Sequence, residues 1–381
     1  MTGSSAERPR ILQVNKFYSP HIGGVEQTVK ATAEGLFEHG YDVRVLAAQS
    51  QGRGQEDRVN GISVCRTTSL GTFRSVPLAP TFPVRFRQEA TVADLIHHHV
   101  PNPIGVISHL LAAPRDVPTV VTYHSDIVRQ ALELKLYAPL LHTFLDRVDC
   151  IFATSPNMIG NSEFLKQYEH KCRVVPLSIE TSKFGQYEGA SYDLPGKPGK
   201  RVLFVGRLNY YKGTEYLIDA MRDIDATLLI IGDGERRDEL EARVRDHGLT
   251  DRVTFLGHVS EEKLHYCYNT ADVFALPSVE ASEAFGIVQL EAMAYGMPVV
   301  NTSLPTGVPW VSQDGKTGIT VPPRNSSALA KALDRLLSDP EYRAELGANA
   351  ATRVKTMFDR ETRIDTIAAA YENILAASPT E

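Results

Sequence analysis

Two glutamates eight residues apart, Glu283 and Glu291, flank the run Ala284-Phe285-Gly286-Ile287-Val288-Gln289-Leu290. The Phe-Gly turn should open a helix after a buried strand. Read as helical spacing, that separation is a little over two turns and puts both carboxylates toward one side, where the free amides of the helix start also point. Carboxylate oxygens accept from hydroxyls and amides donate to phosphate. A nucleotide-sugar satisfies both.

Upstream, Gly206-Arg207-Leu208-Asn209-Tyr210-Tyr211-Lys212-Gly213 follows the apolar run Val202–Val205. Arg207 and Lys212 are thereby set just beyond the carboxyl end of a strand. Two cations there can neutralise a diphosphate as a sugar leaves it, because charge grows on the departing oxygen and fixed cations stabilise it.

The elements that must hold these groups are legible as alternation. Strand-like runs occur at Ile11–Val14, Val43–Ala47, Thr119–Thr122, Cys150–Ala153, Val202–Val205, Thr227–Ile231, Val253–Leu256, Val273–Leu276 and Val299–Val300. Helical spacing covers Val25–His39, Ile127–Arg147, Glu235–His247, Ile287–Tyr295, Ser327–Leu337 and Glu341–Phe358. This order predicts an α/β chain with parallel sheets. It restarts near residue 200, after the Pro- and Gly-rich stretch Pro195–Lys200, which is the expected linker.

Length agrees with two domains, since 381 residues allow each to bury a core. Hydrophobic content of 43% and charged content of 23% are ordinary for a globular chain. Cys65, Cys150, Cys172 and Cys267 show no Cys-x-x-Cys spacing, which argues against a zinc ribbon or a disulfide framework. Residues Met1 to Arg10 read as a tail and not a signal peptide, and no transmembrane helix is expected. The net charge of -6 is uneven: residues 1–180 hold 18 basic and 17 acidic side chains, leaving 22 and 29 for the remainder. An acidic total argues against nucleic acid as partner. Arg66, Arg74, Arg85 and Arg87, interleaved with Phe73, Phe82 and Phe86, could instead meet an anionic membrane surface or a phosphorylated acceptor.

Together the Glu283–Glu291 and Gly206–Gly213 segments closely resemble the signatures of retaining glycosyltransferases of family 4, and the likeness covers nearly the whole chain. The resemblance implies the GT-B fold, two Rossmann-like domains facing across a cleft. The expected domains are 1–196, binding the acceptor, and 197–359, binding the nucleotide-sugar, with a C-terminal helix in 360–381 crossing back to the first. Ligands of open α/β sheets lie beyond the carboxyl ends of the strands, so the cleft is the expected active site.

The same resemblance supplies roles for individual residues. Glu291 resembles the glutamate that accepts from ribose hydroxyls, and Glu283 the one near the donor sugar. The amides of Ala284, Phe285, Gly286 and Ile287 belong to the donor-binding set, as does Gly206. Gly23 and Gly24, before the first helix, are placed near the donor diphosphate or the acceptor. Gly234, His258 and Val259 lie in loops set against the nucleobase. His124, directly after Thr119–Thr122, occupies the position of an active-site histidine, with contact to the donor sugar or its leaving oxygen as its role. Ser125 and Asp126 are expected to cap a helix starting near Ile127.

Two metal readings are set aside. His97-His98-His99 alternate faces if on a strand, so the three cannot share one ion. Asp223-Ile224-Asp225 lies at the wrong end of the strand Thr227–Ile231 and reads as a turn. The site is expected to hold no metal and no cofactor.

Local likeness of Tyr123–Gln130 and Gly307–Ser312 to bacterial mannosyl- and rhamnosyltransferases of O-antigen assembly favours a GDP-sugar donor. The expected activity is transfer of a hexosyl unit, mannose or a 6-deoxy relative, to a saccharide or lipid-linked saccharide acceptor. Such an enzyme would be cytoplasmic, peripheral at the inner face of the cell membrane. A UDP-glucose or UDP-GlcNAc transferase is the alternative with the same architecture, and an inactive nucleotide-sugar sensor the alternative of another class.

Overall fold

A computed structural model describes residues 8–21, 23–74, 76–126, 131–185, 187–196 and 200–377. The chain forms two compact units: Met1–Thr154, Met158–Pro176 and Arg360–Glu381 make the first, and Ser155–Asn157 with Leu177–Asp359 the second.

Ten strands are seen among the described residues of the first unit. These are β1 (Arg10–Val14), β2 (Asp42–Ala48), β3 (Gln55–Val59), β4 (Ile62–Thr67), β5 (Thr72–Phe73), β6 (Val76–Pro77), β7 (Leu95–Val100), β8 (Thr119–Tyr123), β9 (Cys150–Ala153) and β10 (Cys172–Val174). Eight of them form one sheet in the order β10-β9-β8-β7-β1-β2-β4-β3, while β5 and β6 make a separate hairpin. Only β3 runs antiparallel in that sheet. Buried apolar side chains line both faces of the central strands, as helices on each side of a parallel sheet require.

The helix Arg360–Ala377 belongs to this unit because Ile364, Ile367 and Tyr371 are buried in its core. Its close approach to the helix Gly24–Glu38 depends on Gly35. A Cβ there would stand 2.5 Å from the Ile364 side chain.

The second unit holds β11 (Arg201–Val205), β12 (Thr227–Ile231), β13 (Val253–Gly257), β14 (Val273–Leu276), β15 (Val299–Thr302) and β16 (Gly318–Val321). The sheet is parallel throughout, in the order β13-β12-β11-β14-β15-β16. This is the dinucleotide-fold order, with its switch point between the first strand and the fourth. Strands β11 and β14 are neighbours there.

The units divide at Pro176, not at 196. Leu177, Ile179 and Leu194 are buried in the second core, so residues 177–196 fold with that unit although they precede its first strand. Of the expected linker, residues 197–199 lie outside the described residues. The same unit holds the other end of its chain close by: the Ile179 amide donates to the Phe358 carbonyl at 3.0 Å, and the Asp359 carboxylate accepts from the Thr181 amide at 3.2 Å.

The basic stretch from Arg66 to Arg87 is not one exposed patch. Phe82 and Phe86 are fully buried, and Arg66 is buried against the Asp57 carboxylate and the Ser19 carbonyl. A residue-type count along sequence could not see that the helix Phe82–Ala90 turns its aromatic face inward. Exposed instead are Leu70, Phe73 and Leu78 around the hairpin, with the Arg74 guanidinium 5.6 Å from the Phe73 ring centroid. No described helix is long and apolar enough to cross a membrane.

Candidate active site

In the second unit, five of the expected residues line one hollow of roughly 560 Å³: Gly206 and Arg207 after β11, Gly234 after β12, and His258 and Val259 after β13. All lie past the carboxyl ends of neighbouring strands. The Arg207 side chain is exposed and makes no hydrogen bond or ion pair among the described residues. It is a cation free to meet an anion.

Lys212 is differently placed. Its ammonium stands 2.6 Å from the Glu283 carboxylate, and both residues are 7% exposed. Burial alone would lower the Lys212 pKa; the Glu283 charge and hydrogen bond more than offset it, so the group is raised and stays an ammonium. The Ser278 hydroxyl, just past β14, donates to the same carboxylate at 2.9 Å. The ammonium lies beside Gly206, its Nζ 3.5 Å from where a Cβ on that glycine would be. Loops from both sides of the switch point are joined here.

The glutamate spacing works differently from the helical expectation. The helix is Ile287–Ala294, and Gly286 caps it with φ 73°, a left-handed conformation that suits glycine. Glu283 therefore precedes the helix, and its direction is set by Lys212 and Ser278. The amides of Ala284, Phe285, Gly286 and Ile287 make no hydrogen bond among the described residues, leaving a row of donors at the helix start. The Phe285 ring is turned into the core against Trp310 and Phe358, so only its backbone serves the loop.

Glu291, within that helix, accepts from the Tyr268 hydroxyl through Oε2 at 2.7 Å, while Oε1 has no partner among the described residues. Burial raises its pKa and the Tyr268 hydrogen bond partly opposes this. An oxygen remains for a ligand hydroxyl. Tyr268 and Ser278 were missed from sequence, because each acts on a residue far along the chain and neither sits in a recognisable motif.

In the first unit, Gly23 is the extended residue before the helix Gly24–Glu38. A Cβ on it would overlap the Glu26 carboxylate, which folds back over the turn. The absent side chain accommodates Glu26, a residue the sequence reading passed over. His124 follows β8, and its amide donates to the Val100 carbonyl at 2.9 Å. The side chain is 6% exposed. Burial first, then the charges of Arg363 and Lys16, lower its pKa to about 3, so the ring is neutral.

The helix start expected near Ile127 lies outside the described residues. The Asp126 carboxylate accepts from the hydroxyls of Tyr123 and Ser162, each at 2.7 Å, and ties the loop down. His97, His98 and His99 form the buried centre of β7, with His98 on the face opposite the other two, packed against Phe86 and Phe144. Asp223 and Asp225 sit in a turn, with Asp225 paired to Lys200. No cluster of potential metal ligands exists among the described residues. A larger hollow, roughly 920 Å³, borders Ala113–Thr119 near the amino end of β8. None of the expected residues lines it, and its Asp149 carboxylate is bound to the Thr119 amide at 2.7 Å.

Known proteins resemble this chain over nearly its whole length. Residues 22–183 match the model described as Glycosyltransferase Family 4, and residues 193–353 the model described as Glycosyl transferases group 1. The D-rhamnosyltransferase WbpZ of Pseudomonas aeruginosa is 36% identical over 354 residues, 92% of each chain. The O-antigen chain mannosyltransferase C of Escherichia coli is 32% identical over 368 residues, 96% of this chain and 99% of that one. Among solved structures, the sucrose-phosphate synthase of Thermosynechococcus elongatus superposes with a TM-score of 0.79, covering 97% of this chain and 100% of that one at 24% identity.

Proposed function

Since this chain belongs to glycosyltransferase family 4, with a GT-B fold, we propose that it transfers a hexosyl unit, mannose or a 6-deoxyhexose, from a GDP-sugar to a saccharide or lipid-linked saccharide in O-antigen-type synthesis. The observation that carries the donor site is the hollow beyond β11, β12 and β13, where the free guanidinium of Arg207 stands at the rim. In this reading Arg207 and Lys212 hold the diphosphate, and the amides of 284–287 add neutral donors at a helix start, where anions are stabilised. Glu291 takes a ribose hydroxyl through Oε1. Gly234, His258 and Val259 border the base.

Two features support retention without a metal. Glu283 is committed to Lys212 and Ser278, which makes its carboxylate a poor nucleophile; a same-face substitution assisted by the departing diphosphate fits better than a glycosyl-enzyme. Arg207 brings positive charge where a divalent ion brings it to phosphates elsewhere, and Lys212, paired with Glu283, adds N–H donors beside it.

The named activities of the rhamnosyl and mannosyl relatives favour GDP over UDP in this reading. The test is thermal stabilisation by each nucleotide, followed by transfer from GDP-mannose and UDP-glucose. Stabilisation by GDP and turnover of GDP-mannose are expected; stabilisation by UDP alone contradicts the reading. Exposed Leu70, Phe73 and Leu78 with Arg74 support peripheral attachment to an anionic membrane. Flotation with anionic vesicles, lost in Phe73→Ser, is the expected outcome; equal flotation of the variant contradicts it.

A further inference from the structure

An unbroken hydrogen-bonded line runs through the first unit from the helix Arg360–Ala377 to His124. The Tyr371 hydroxyl is 2.5 Å from His97 Nδ1, and His97 Nε2 is 2.7 Å from the Thr122 hydroxyl. Gln13 bridges the next step: its Nε2 lies 3.2 Å from His97 Nδ1 and 3.3 Å from the Tyr371 hydroxyl, while its Oε1 is 2.7 Å from His99 Nε2. His99 Nδ1 is then 3.0 Å from His124 Nε2. All six side chains are buried.

The Gln13 amide, its Nε2 donating to the Tyr371 hydroxyl and its Oε1 facing His99 Nε2, sets the line's polarity. Burial, with the nearby Arg363 charge, lowers the pKa of His97, His99 and His124, so each neutral ring carries one proton. An amide oxygen only accepts, hence His99 Nε2 holds the proton opposite Gln13 Oε1. His99 Nδ1 is then a lone pair. It can accept only if His124 Nε2 is the N–H, which strips His124 Nδ1 of a proton. That nitrogen makes no hydrogen bond among the described residues.

We propose that Gln13 and His99 are positioning residues that lock His124 in its Nε2–H tautomer, so that Nδ1 is presented as a hydrogen-bond acceptor to a sugar hydroxyl. The identity of that hydroxyl rests on the transferase reading; the tautomer does not. A bare Nδ1 on a neutral ring orients a hydroxyl and has no proton to give a leaving oxygen. Tyr371 and His97 hold the Gln13 amide in the orientation this needs.

The test uses the full chain with ¹⁵N-labelled histidine, where ring ¹⁵N shifts report which nitrogen is protonated, and His124→Asn assigns the signal. At neutral pH the His124 proton is expected on Nε2. Gln13→Met removes the amide oxygen and should release His124 into a mixture of tautomers. In that variant KM for the sugar substrate should rise about three- to ten-fold, with kcat changed less. A wild-type proton on Nδ1 overturns the proposal, as does an unchanged His124 signal in folded Gln13→Met. The wild-type spectrum decides even where the variant does not fold. Since the spectrum needs no turnover, an inactive enzyme with the Nε2–H signal would count against the transferase reading alone.

Discussion

Lys212 Nζ stands 2.6 Å from the Glu283 carboxylate with both side chains buried. Lys212→Ala therefore does more than remove a cation from the donor site. It leaves a buried carboxylate with one hydroxyl partner, a change that costs about 3–5 kcal/mol in comparable pairs. Urea unfolding should show that loss alongside the loss of transfer. The double variant Lys212→Met with Glu283→Gln should regain much of the stability and none of the turnover. If Lys212→Ala unfolds like the wild type, the pair is not the buried unit described.

Acid should weaken the first unit selectively. An unfolded histidine titrates near about 6.5. In the folded chain burial lowers His124 to about 3 and His109 to about 4, and holds His97, His98 and His99 well below the usual value. The native state thus binds fewer protons, and stability rises with pH. The full contribution is present above the unfolded value and is lost as pH falls toward the folded ones, at up to about 1.4 kcal/mol per unit for each ring. Scanning calorimetry should show a transition falling steeply as pH drops from 6.5 toward 4. A flat response would mean these rings are not held neutral.

Gly35 should resist any larger residue. A Cβ there meets Ile364 at 2.5 Å, so Gly35→Ala pushes the C-terminal helix off its seat at about 1–3 kcal/mol. Adding Ile364→Ala, which clears the overlap, should return part of that loss relative to Ile364→Ala alone. Equal destabilisation by Gly35→Ala in both backgrounds would contradict the contact.

What the sequence made legible was what local pattern encodes. Strands with apolar centres, such as Val202–Val205 and Thr227–Ile231, match β11 and β12. β7 was not read as a strand, since His97-His98-His99 look polar by type yet are fully buried through contacts with Gln13, Tyr371, His109 and Phe144. β3, exposed and antiparallel at the sheet edge, has no alternation to detect. Of the residues lining the hollow, Arg207 is legible as a cation past a strand end, whereas Gly234, His258 and Val259 come only with the family resemblance. The partners of the two glutamates, Ser278 for Glu283 and Tyr268 for Glu291, are supplied by tertiary packing, which no spacing rule reports. For the same reason the Glu283–Glu291 spacing does not describe one helical face, since Glu283 precedes the helix.

The most direct test of a diphosphate gripped at the Arg207 hollow is calorimetric titration of GDP into the wild type and Arg207→Ala. Because that guanidinium is exposed and unpaired, the variant should keep its stability within about 0.5 kcal/mol while losing a charged hydrogen bond to phosphate, about ten-fold or more in affinity. Equal GDP affinity in the two proteins would contradict the account.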